Sequence, residues 1–236
     1  MNFKEFRQHY GKSLPLSVCK SAFTSVSKGK EMKSSILRAS REYAQTLKDR
    51  PLRGKLFGYY PCNNIITVAE LMTERKFYNQ DNIKKLPFFL AKDNYFSTEV
   101  YFPLRYYRMA KYGENFDLRI HSFRIPKYST LGIYRHWQGN ILVFVVLENS
   151  SKSQNPQLKE IANTIAKNIL YYSIFYSALE YAEMKTTEQF VEKLLNEPIR
   201  MISLNRRIRT IGDYLRAKSK ELETELKIVD IKTFGC

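Results

Sequence analysis

Residues 110–136 read AKYGENFDLRIHSFRIPKYSTLGIYRH and carry two short motifs in close succession. The first motif, KYGENF at residues 111–116, leads into Leu118 and Arg119, and the second, LGIYRH, occupies residues 131–136. Composition does not force two such motifs to occur at this separation, so the pair is more specific than one short pattern. This stretch therefore decides how the rest of the chain is interpreted.

Around this stretch, one order of predicted elements occurs twice, namely a strand, a turn, a second strand and a helix. The turns fall at residues 61–64 and 137–140, and the helical patterns run to about residue 90 and onward from Gln157. The four strands are predicted at residues 56–60, 65–71, 128–134 and 141–147. Alternation is poor in the last of these, which predicts a strand buried on both faces. The repetition indicates an α+β protein with two similar halves.

Helical periodicity dominates the N-terminal fifty residues and returns late in the chain. An aromatic face marks a first short helix, a second helix follows Pro15, and a third spans about residues 32–47. Pro51 disfavours helix at the residue before it, so the first helical module is predicted to end there. A second helical region is predicted at residues 156–195.

The chain is strongly basic. Its 236 residues include 39 Lys and Arg against 23 Asp and Glu, for a net charge of +16. Residues 1–60 hold 13 basic and 4 acidic residues, a surplus of nine. Such a surplus favours an acidic partner, which includes the acidic face of a protein, a nucleic-acid backbone or an anionic lipid. At 44% hydrophobic residues the chain is also able to bury a sizeable core.

Patterns that carry bond-making chemistry are missing from the sequence. The three cysteines are too few for a disulfide framework, and neither they nor the three histidines are spaced as zinc ligands. The chain has no phosphate-binding glycine loop and no serine nucleophile elbow. The longest apolar run, residues 141–147, is far shorter than the ~20 residues of a membrane-spanning helix. We expect a binding protein of a reducing compartment, with no enzymatic activity, cofactor, metal or transmembrane segment.

The two central motifs resemble the centre of translation elongation factor Ts. In that family a Lys-Ile-Gly-Glu-Asn-Ile-like segment runs into a pair of strands that carries a Tyr-x-His element. The N-terminus is similar to the family's opening module at Gly11, Cys19 and Lys20, and the C-terminus is similar to its last helix and closing strand at residues 210–215 and 228–235. Only residues 93–108 lack a counterpart.

The resemblance implies an α+β fold of four parts. These parts are a UBA-like helical module at residues 1–50, an N-terminal core subdomain at 53–127, a C-terminal core subdomain at 128–200, and a C-terminal helix and strand at 201–236. The two core subdomains are related hairpin-plus-helix units in this family. The resemblance therefore agrees with the repeated order of predicted elements.

The resemblance also implies a function, which is guanine-nucleotide exchange on elongation factor Tu. The family acts through a Thr-Asp-Phe element, and this chain has Thr73, Glu74 and Arg75 there, with Phe77 two residues on. The acid is thus one methylene longer and a guanidinium replaces the ring. The positions implied as partner contacts are Cys19, Lys20, Thr73, Glu74, Arg75, Phe77, His136, Thr210, Gly212 and Leu215.

Two further interpretations stay open. The altered Thr-Asp-Phe element and the basic charge would also suit a paralogue that serves as a non-catalytic subunit of a larger mitochondrial assembly, such as a respiratory complex or a mitochondrial ribosome. A nucleic-acid-binding protein rests on charge alone, so no specific nucleic-acid partner is expected. Residues 1–30 contain six basic residues and only Glu5 as an acid, which is typical of a mitochondrial targeting segment. We therefore expect the mitochondrial matrix, with an uncleaved or internal address.

Overall fold

Eight helices and two three-stranded antiparallel sheets form the part of the chain that the structure, a computed structural model, describes. The described residues are 1–75, 81–96, 98–151, 155–175, 187–199 and 209–235. The protein is therefore a mixed α+β protein, as the sequence predicts. The chain divides into two compact units, one of residues 1–60 and 67–122 and the other of residues 61–66 and 123–236. The finer division into four modules stays a prediction.

Three helices open the first unit, α1 (Phe3–Tyr10), α2 (Leu16–Ser27) and α3 (Met32–Gln45). Asn2 and Glu5 form a capping box, in which each side chain accepts a hydrogen bond from the other residue's backbone N–H and so begins α1. Phe6, Val18 and Ala39 are among the buried residues of one core cluster that joins the three helices. The three helices that the sequence predicts in this region are confirmed.

The first sheet contains β1 (Gly54–Cys62), β2 (Ile65–Thr73) and β3 (Phe116–Arg124), in the order β1-β2-β3. Helices α4 (Asp81–Phe96) and α5 (Thr98–Tyr112) separate β2 from β3 along the chain. A Cβ atom at Gly58 would lie 2.2 Å from the backbone nitrogen of Phe88, so the missing side chain lets α4 approach the sheet closely.

The second sheet contains β4 (Ser129–Arg135), β5 (Leu142–Asn149) and β6 (Leu226–Phe234), in the order β4-β5-β6. Both pairs are antiparallel, with Ile133 opposite Phe144 and Val145 opposite Ile231. Helices α6 (Pro156–Phe175), α7 (Thr187–Leu195) and α8 (Ile211–Glu221) lie between β5 and β6 in the chain. A Cβ atom at Gly132 would lie 2.2 Å from the carbonyl carbon of Ala162, so α6 packs directly on β4.

The central strand β5 is buried on both faces, which confirms the prediction made for residues 141–147. Val143, Val145 and Leu147 belong to the core cluster that includes α6 and α8. On the other face, the ring of Phe144 lies 5.2 Å from that of Phe123 and 6.0 Å from that of Phe234, measured between centroids. The strand therefore contributes apolar side chains to two layers at once.

Candidate protein-binding surfaces

Residues 73–75 form a turn at the end of β2. This turn lies next to the turn that precedes β3. Thr73 is fully buried, and its hydroxyl donates a hydrogen bond of 2.8 Å to the carbonyl oxygen of Arg75. The Arg75 carbonyl in turn lies so close to Gly54 that a Cβ atom there would be 2.0 Å away. The position of the turn thus depends on a glycine in the neighbouring strand, because any side chain at Gly54 would displace the Arg75 carbonyl.

Glu74 joins the turn at residues 73–75 to the KYGENF motif, which lies about forty residues later in the sequence. Its carboxylate accepts a short hydrogen bond from the backbone N–H of Asn115 and lies 3.6 Å from the guanidinium of Arg50. The Asn115 side-chain amide donates to the carbonyl oxygens of Lys48 and Arg50, at 3.0 Å and 2.9 Å. The acid of this turn therefore holds together the end of the helical module, the end of β2 and the start of β3. We call these contacts the Glu74 junction.

Arg75 has a different environment from Glu74. Its side chain is 69% exposed, and its guanidinium lies 3.1 Å from the carboxylate of the buried Glu114. The ion pair places a cation at the surface where the resembled family has an aromatic ring. Phe77, the aromatic residue nearby in sequence, lies outside the described residues.

Cys19 and Lys20 are neighbours on α2 with opposite exposures. Cys19 is 1% exposed, and its thiol donates to the carbonyl oxygen of Gly11 at 3.4 Å. Burial raises the pKa of this thiol, although the nearby Arg7 opposes the effect. A Cβ atom at Gly11 would lie 2.5 Å from the Cys19 sulfur, so a side chain at Gly11 would displace the Cys19 thiol. Lys20 is exposed, so its ammonium group is the one available to a partner.

Thr210 begins α8 as its N-cap. Its hydroxyl accepts the N–H of Asp213 at 3.0 Å, and the Asp213 carboxylate accepts the N–H groups of Arg209 and Thr210. These backbone hydrogen bonds have the largest effect on the pKa of Asp213, and a hydrogen bond from the Arg216 guanidinium at 2.7 Å adds to it. Together they lower the pKa of Asp213 to about 2. The sequence pattern Thr-x-x-Asp is a capping box, and it fixes where this helix starts.

Gly212 and Leu215 lie in a groove of the second unit, between α7, α8 and β6. The groove has a volume of about 510 Å³, and apolar side chains such as Val191 and Leu195 form much of its wall. Leu215 is only 5% exposed, and a Cβ atom at Gly212 would lie 2.8 Å from the carbonyl oxygen of Leu195. Both residues therefore shape the groove more than they project from it.

His136 lies at the tip of the β4–β5 hairpin. Its backbone N–H donates to the carbonyl oxygen of Ile141 at 3.0 Å, and its Nδ1 atom lies 3.1 Å from the Asn140 side-chain oxygen. Gly139 has a positive φ of 75°, which the tight turn requires. The next residue, Trp137, is 73% exposed and its ring lies 5.6 Å from the histidine ring. The resemblance points to His136, but the more accessible side chain is the tryptophan.

The first sheet carries a cluster of ionisable side chains that no pattern in the sequence indicates. The buried carboxylate of Glu70 on β2 lies 3.0 Å from the Lys55 ammonium and 3.3 Å from the His121 ring nitrogen. Burial raises the pKa of Glu70, but the hydrogen bonds from Lys55 and His121 outweigh burial and leave that pKa below its usual value. The three residues lie far apart in sequence, so only strand pairing reveals the cluster.

Metal binding and membrane crossing find no support in the described part of the chain. No group of three His, Cys, Asp or Glu residues within it could hold a metal ion. None of its helices is long and apolar enough to cross a bilayer.

Neither the models of known protein families nor the curated proteins include a match to this chain.

Proposed function

We propose that this protein is a guanine-nucleotide exchange factor of the elongation factor Ts type, which binds elongation factor Tu and promotes GDP release during mitochondrial translation. The observation that carries the proposal is the Glu74 junction. It unites the turn at residues 73–75, which stands where the family has its Thr-Asp-Phe element, with the KYGENF motif at residues 111–116, which carries the resemblance. Both elements thus meet at one place in the first unit.

The topology supports the finer layout that the resemblance implies. In each unit a hairpin is followed by helices and then by a strand that pairs with the hairpin's second strand. In each unit a glycine of the hairpin's first strand, Gly58 or Gly132, also lets the following helix approach closely. We take these shared features to mean two related subdomains, preceded by a UBA-like module and closed by α8 and β6.

In this proposal the protein acts by binding, without bond-making chemistry. It binds the nucleotide-free GTPase more tightly than the nucleotide-bound GTPase. By linkage, the exchange factor weakens nucleotide binding by the same factor by which the nucleotide weakens binding of the exchange factor. Each tenfold loss of GDP affinity requires about 1.4 kcal/mol of such coupling. The exposed Lys20, Arg75 and Trp137 would contact the GTPase, and the buried Cys19 and Thr73 would hold those side chains in position.

The test is the rate of release of fluorescent GDP from purified mitochondrial elongation factor Tu. We expect catalytic amounts of the protein to accelerate release, and we expect Arg75→Phe, which restores the aromatic ring of the family, to accelerate it further. Arg38→Phe is the matched control, because Arg38 is also an exposed arginine paired with a glutamate. The proposal would be abandoned if the parent left the release rate unchanged at stoichiometric concentration.

A second candidate function is that of a non-catalytic subunit in a larger mitochondrial assembly. The position of Glu74 favours it, because the acid that the family directs at the GTPase here binds Asn115 and Arg50 of its own chain. Thr73 is likewise fully buried. Such a paralogue would keep the fold and lose exchange, so it would leave GDP release unchanged while remaining bound to its assembly.

A further inference from the structure

A pocket between α4 and α5 has no role in the proposed exchange function. It has a volume of about 670 Å³ and lies wholly within the first unit. We call it the α4–α5 pocket. Its lining residues are Lys85, Leu86 and Phe89 on α4 and Tyr107, Arg108, Lys111 and Tyr112 on α5. Most of α5 falls in residues 93–108, the segment that has no counterpart in the resembled family.

Helical spacing explains why these residues line one pocket. Tyr107 and Lys111 are four residues apart, as are Arg108 and Tyr112, so these two pairs lie on one side of α5. Lys85 and Phe89 have the same relation on α4. The packing of the two helices then brings both faces together around a floor formed by Leu86, which is 3% exposed.

The charged residues that the structure describes in the lining of the α4–α5 pocket all have one sign. Lys85, Arg108 and Lys111 contribute three cations, and none of the described lining residues is acidic. Lys85 and Lys111 are exposed, so their ammonium groups are able to turn toward a ligand. Arg108 adds a planar guanidinium, which suits the oxygen atoms of a phosphate. The described lining therefore favours an anion.

Aromatic rings supply the rest of the wall, and the two tyrosines among them pack on the core. Tyr112 meets the buried Phe116 edge-on at 6.0 Å, and Tyr107 packs against the core cluster of the N-terminal helices. Phe89 is 47% exposed and touches Phe88 edge-on at 5.8 Å. The Lys111 ammonium lies 5.7 Å from the centre of the Tyr112 ring, so cation and ring are adjacent. A flat π system beside an anionic group would satisfy both features.

We propose that the α4–α5 pocket binds a nucleoside phosphate, with the base against the aromatic rings and the phosphates against Lys85, Arg108 and Lys111. A simple anion would make no use of the aromatic wall, and a neutral apolar ligand would make no use of the three cations. The volume lies within the range of about 300–1,000 Å³ that small-molecule sites occupy. The ligand is either a free nucleotide or a nucleotide of a single RNA strand, since both offer the same chemistry.

The first experiment is calorimetric titration of the isolated full-length protein with ATP, adenosine and inorganic tripolyphosphate. We expect ATP to bind at least about tenfold more tightly than either fragment, because a stacked base and a charge-assisted phosphate contact each contribute roughly that factor. Phe89→Ala should weaken ATP but leave tripolyphosphate unchanged. Tripolyphosphate that binds as tightly as ATP, or no heat with millimolar ATP, would overturn the proposal.

A matched pair of variants tests the position of the site. Lys111→Glu should weaken ATP binding about tenfold or more. Lys127→Glu is the control, because the Lys127 ammonium lies 5.0 Å from the exposed Tyr128 ring outside any part of this pocket. Both changes alter an exposed lysine, and circular dichroism verifies that each variant is folded. If both variants weakened ATP binding equally, the binding would be a diffuse effect of the basic surface and would not occur in the pocket.

Competition distinguishes the source of the ligand. The natural ligand is RNA if two results are found. A single-stranded RNA decamer displaces bound ATP at a lower concentration than further ATP does, and Lys111→Glu removes this advantage. If ATP competes better than the decamer, the natural ligand is a free nucleotide, and both results support the proposed chemistry. Displacement of ATP by micromolar poly-glutamate would overturn it, because the pocket would then be a docking site for an acidic protein segment.

Discussion

At the residue scale, Glu74 and Arg75 are sequence neighbours with different predicted roles. Glu74→Ala removes the acceptor of the Asn115 N–H, which lies in a mostly buried turn, so we expect a loss of about 1–3 kcal/mol in the free energy of unfolding. Arg75→Ala removes an ion pair whose arginine is 69% exposed, and we expect less than about 1 kcal/mol. Urea denaturation of both variants measures the difference. Equal losses would mean that the Glu74 junction does not stabilise the turn.

Gly132 provides a second prediction at this scale. Gly132→Ala places a methyl group about 2 Å from the Ala162 backbone, which is rigid because it lies within α6. Overpacking of this kind costs about 1–3 kcal/mol, so the urea midpoint of the variant should fall. The neighbouring Thr130→Ala removes atoms from the same strand and is the control for a change in β4 itself. A Gly132→Ala midpoint equal to that of the parent would show that α6 is free to shift away from the sheet.

Among the elements, α8 depends on the capping box of Thr210 and Asp213. The folded pKa of Asp213 is about 2, below its ordinary value of 3.8, because the N–H groups of Arg209 and Thr210 bind its charged form. The stabilisation is thus complete above about pH 4 and is lost as the pH falls toward 2. We expect Asp213→Asn to increase amide exchange in α8 at pH 5–7, and to differ little from the parent near pH 2.

Thr210→Ala separates capping from charge in the same helix. Its hydroxyl does not titrate in this range, so its removal should cost about 1 kcal/mol throughout the pH range. Hydrogen exchange of the α8 amides, followed by mass spectrometry, measures both variants. A cost for Asp213→Asn that persists unchanged at pH 2 would contradict the assigned role of the carboxylate.

Local patterns in the sequence predicted most elements of this fold. The apolar run at residues 141–147 and the three- and four-residue spacing after Gln157 correspond to β5 and α6, because burial on two faces or on one helix stripe leaves a local signature. No pattern in the sequence predicts helix α5, and residues 93–108 have no counterpart in the resembled family. Residues 176–186, which the predicted helical region included, lie outside the described residues.

Long-range contacts explain what the sequence could not provide. The hydrogen bond from Asn115 to Glu74 joins residues 41 positions apart, and the contact of His121 with Glu70 joins residues 51 positions apart. No periodicity within one element encodes such pairs, since they depend on strand pairing and on how two turns meet. The same holds for the α4–α5 pocket, whose cations and rings are ordinary helix-surface residues until the helices pack.

For the whole molecule, the basic charge predicts how binding responds to salt. The surplus of nine positive charges in residues 1–60 includes the exposed Lys20, Lys28 and Lys30. Exposed charges are screened beyond about 8 Å at physiological ionic strength, so binding to an acidic GTPase surface should weaken steadily as salt rises. Surface plasmon resonance at several salt concentrations measures this dependence. Affinity that does not change with salt would remove the basic module from the interface.

The final prediction separates an exchange factor from a structural subunit. An exchange factor dissociates from its GTPase in every cycle, so native fractionation of a mitochondrial extract should recover this 27.9 kDa chain free or with one GTPase. A subunit should instead co-migrate in full with a far larger assembly, because permanent interfaces bury roughly 2,000 Å² or more and do not exchange. Elongation factor Tu in the same gel serves as the internal marker. We expect the free and GTPase-bound pools to dominate. Quantitative recovery in a megadalton fraction would reject the exchange function. It would also account for the contacts of Glu74 inside the fold, because selection on the turn at residues 73–75 for GTPase contact would have ended.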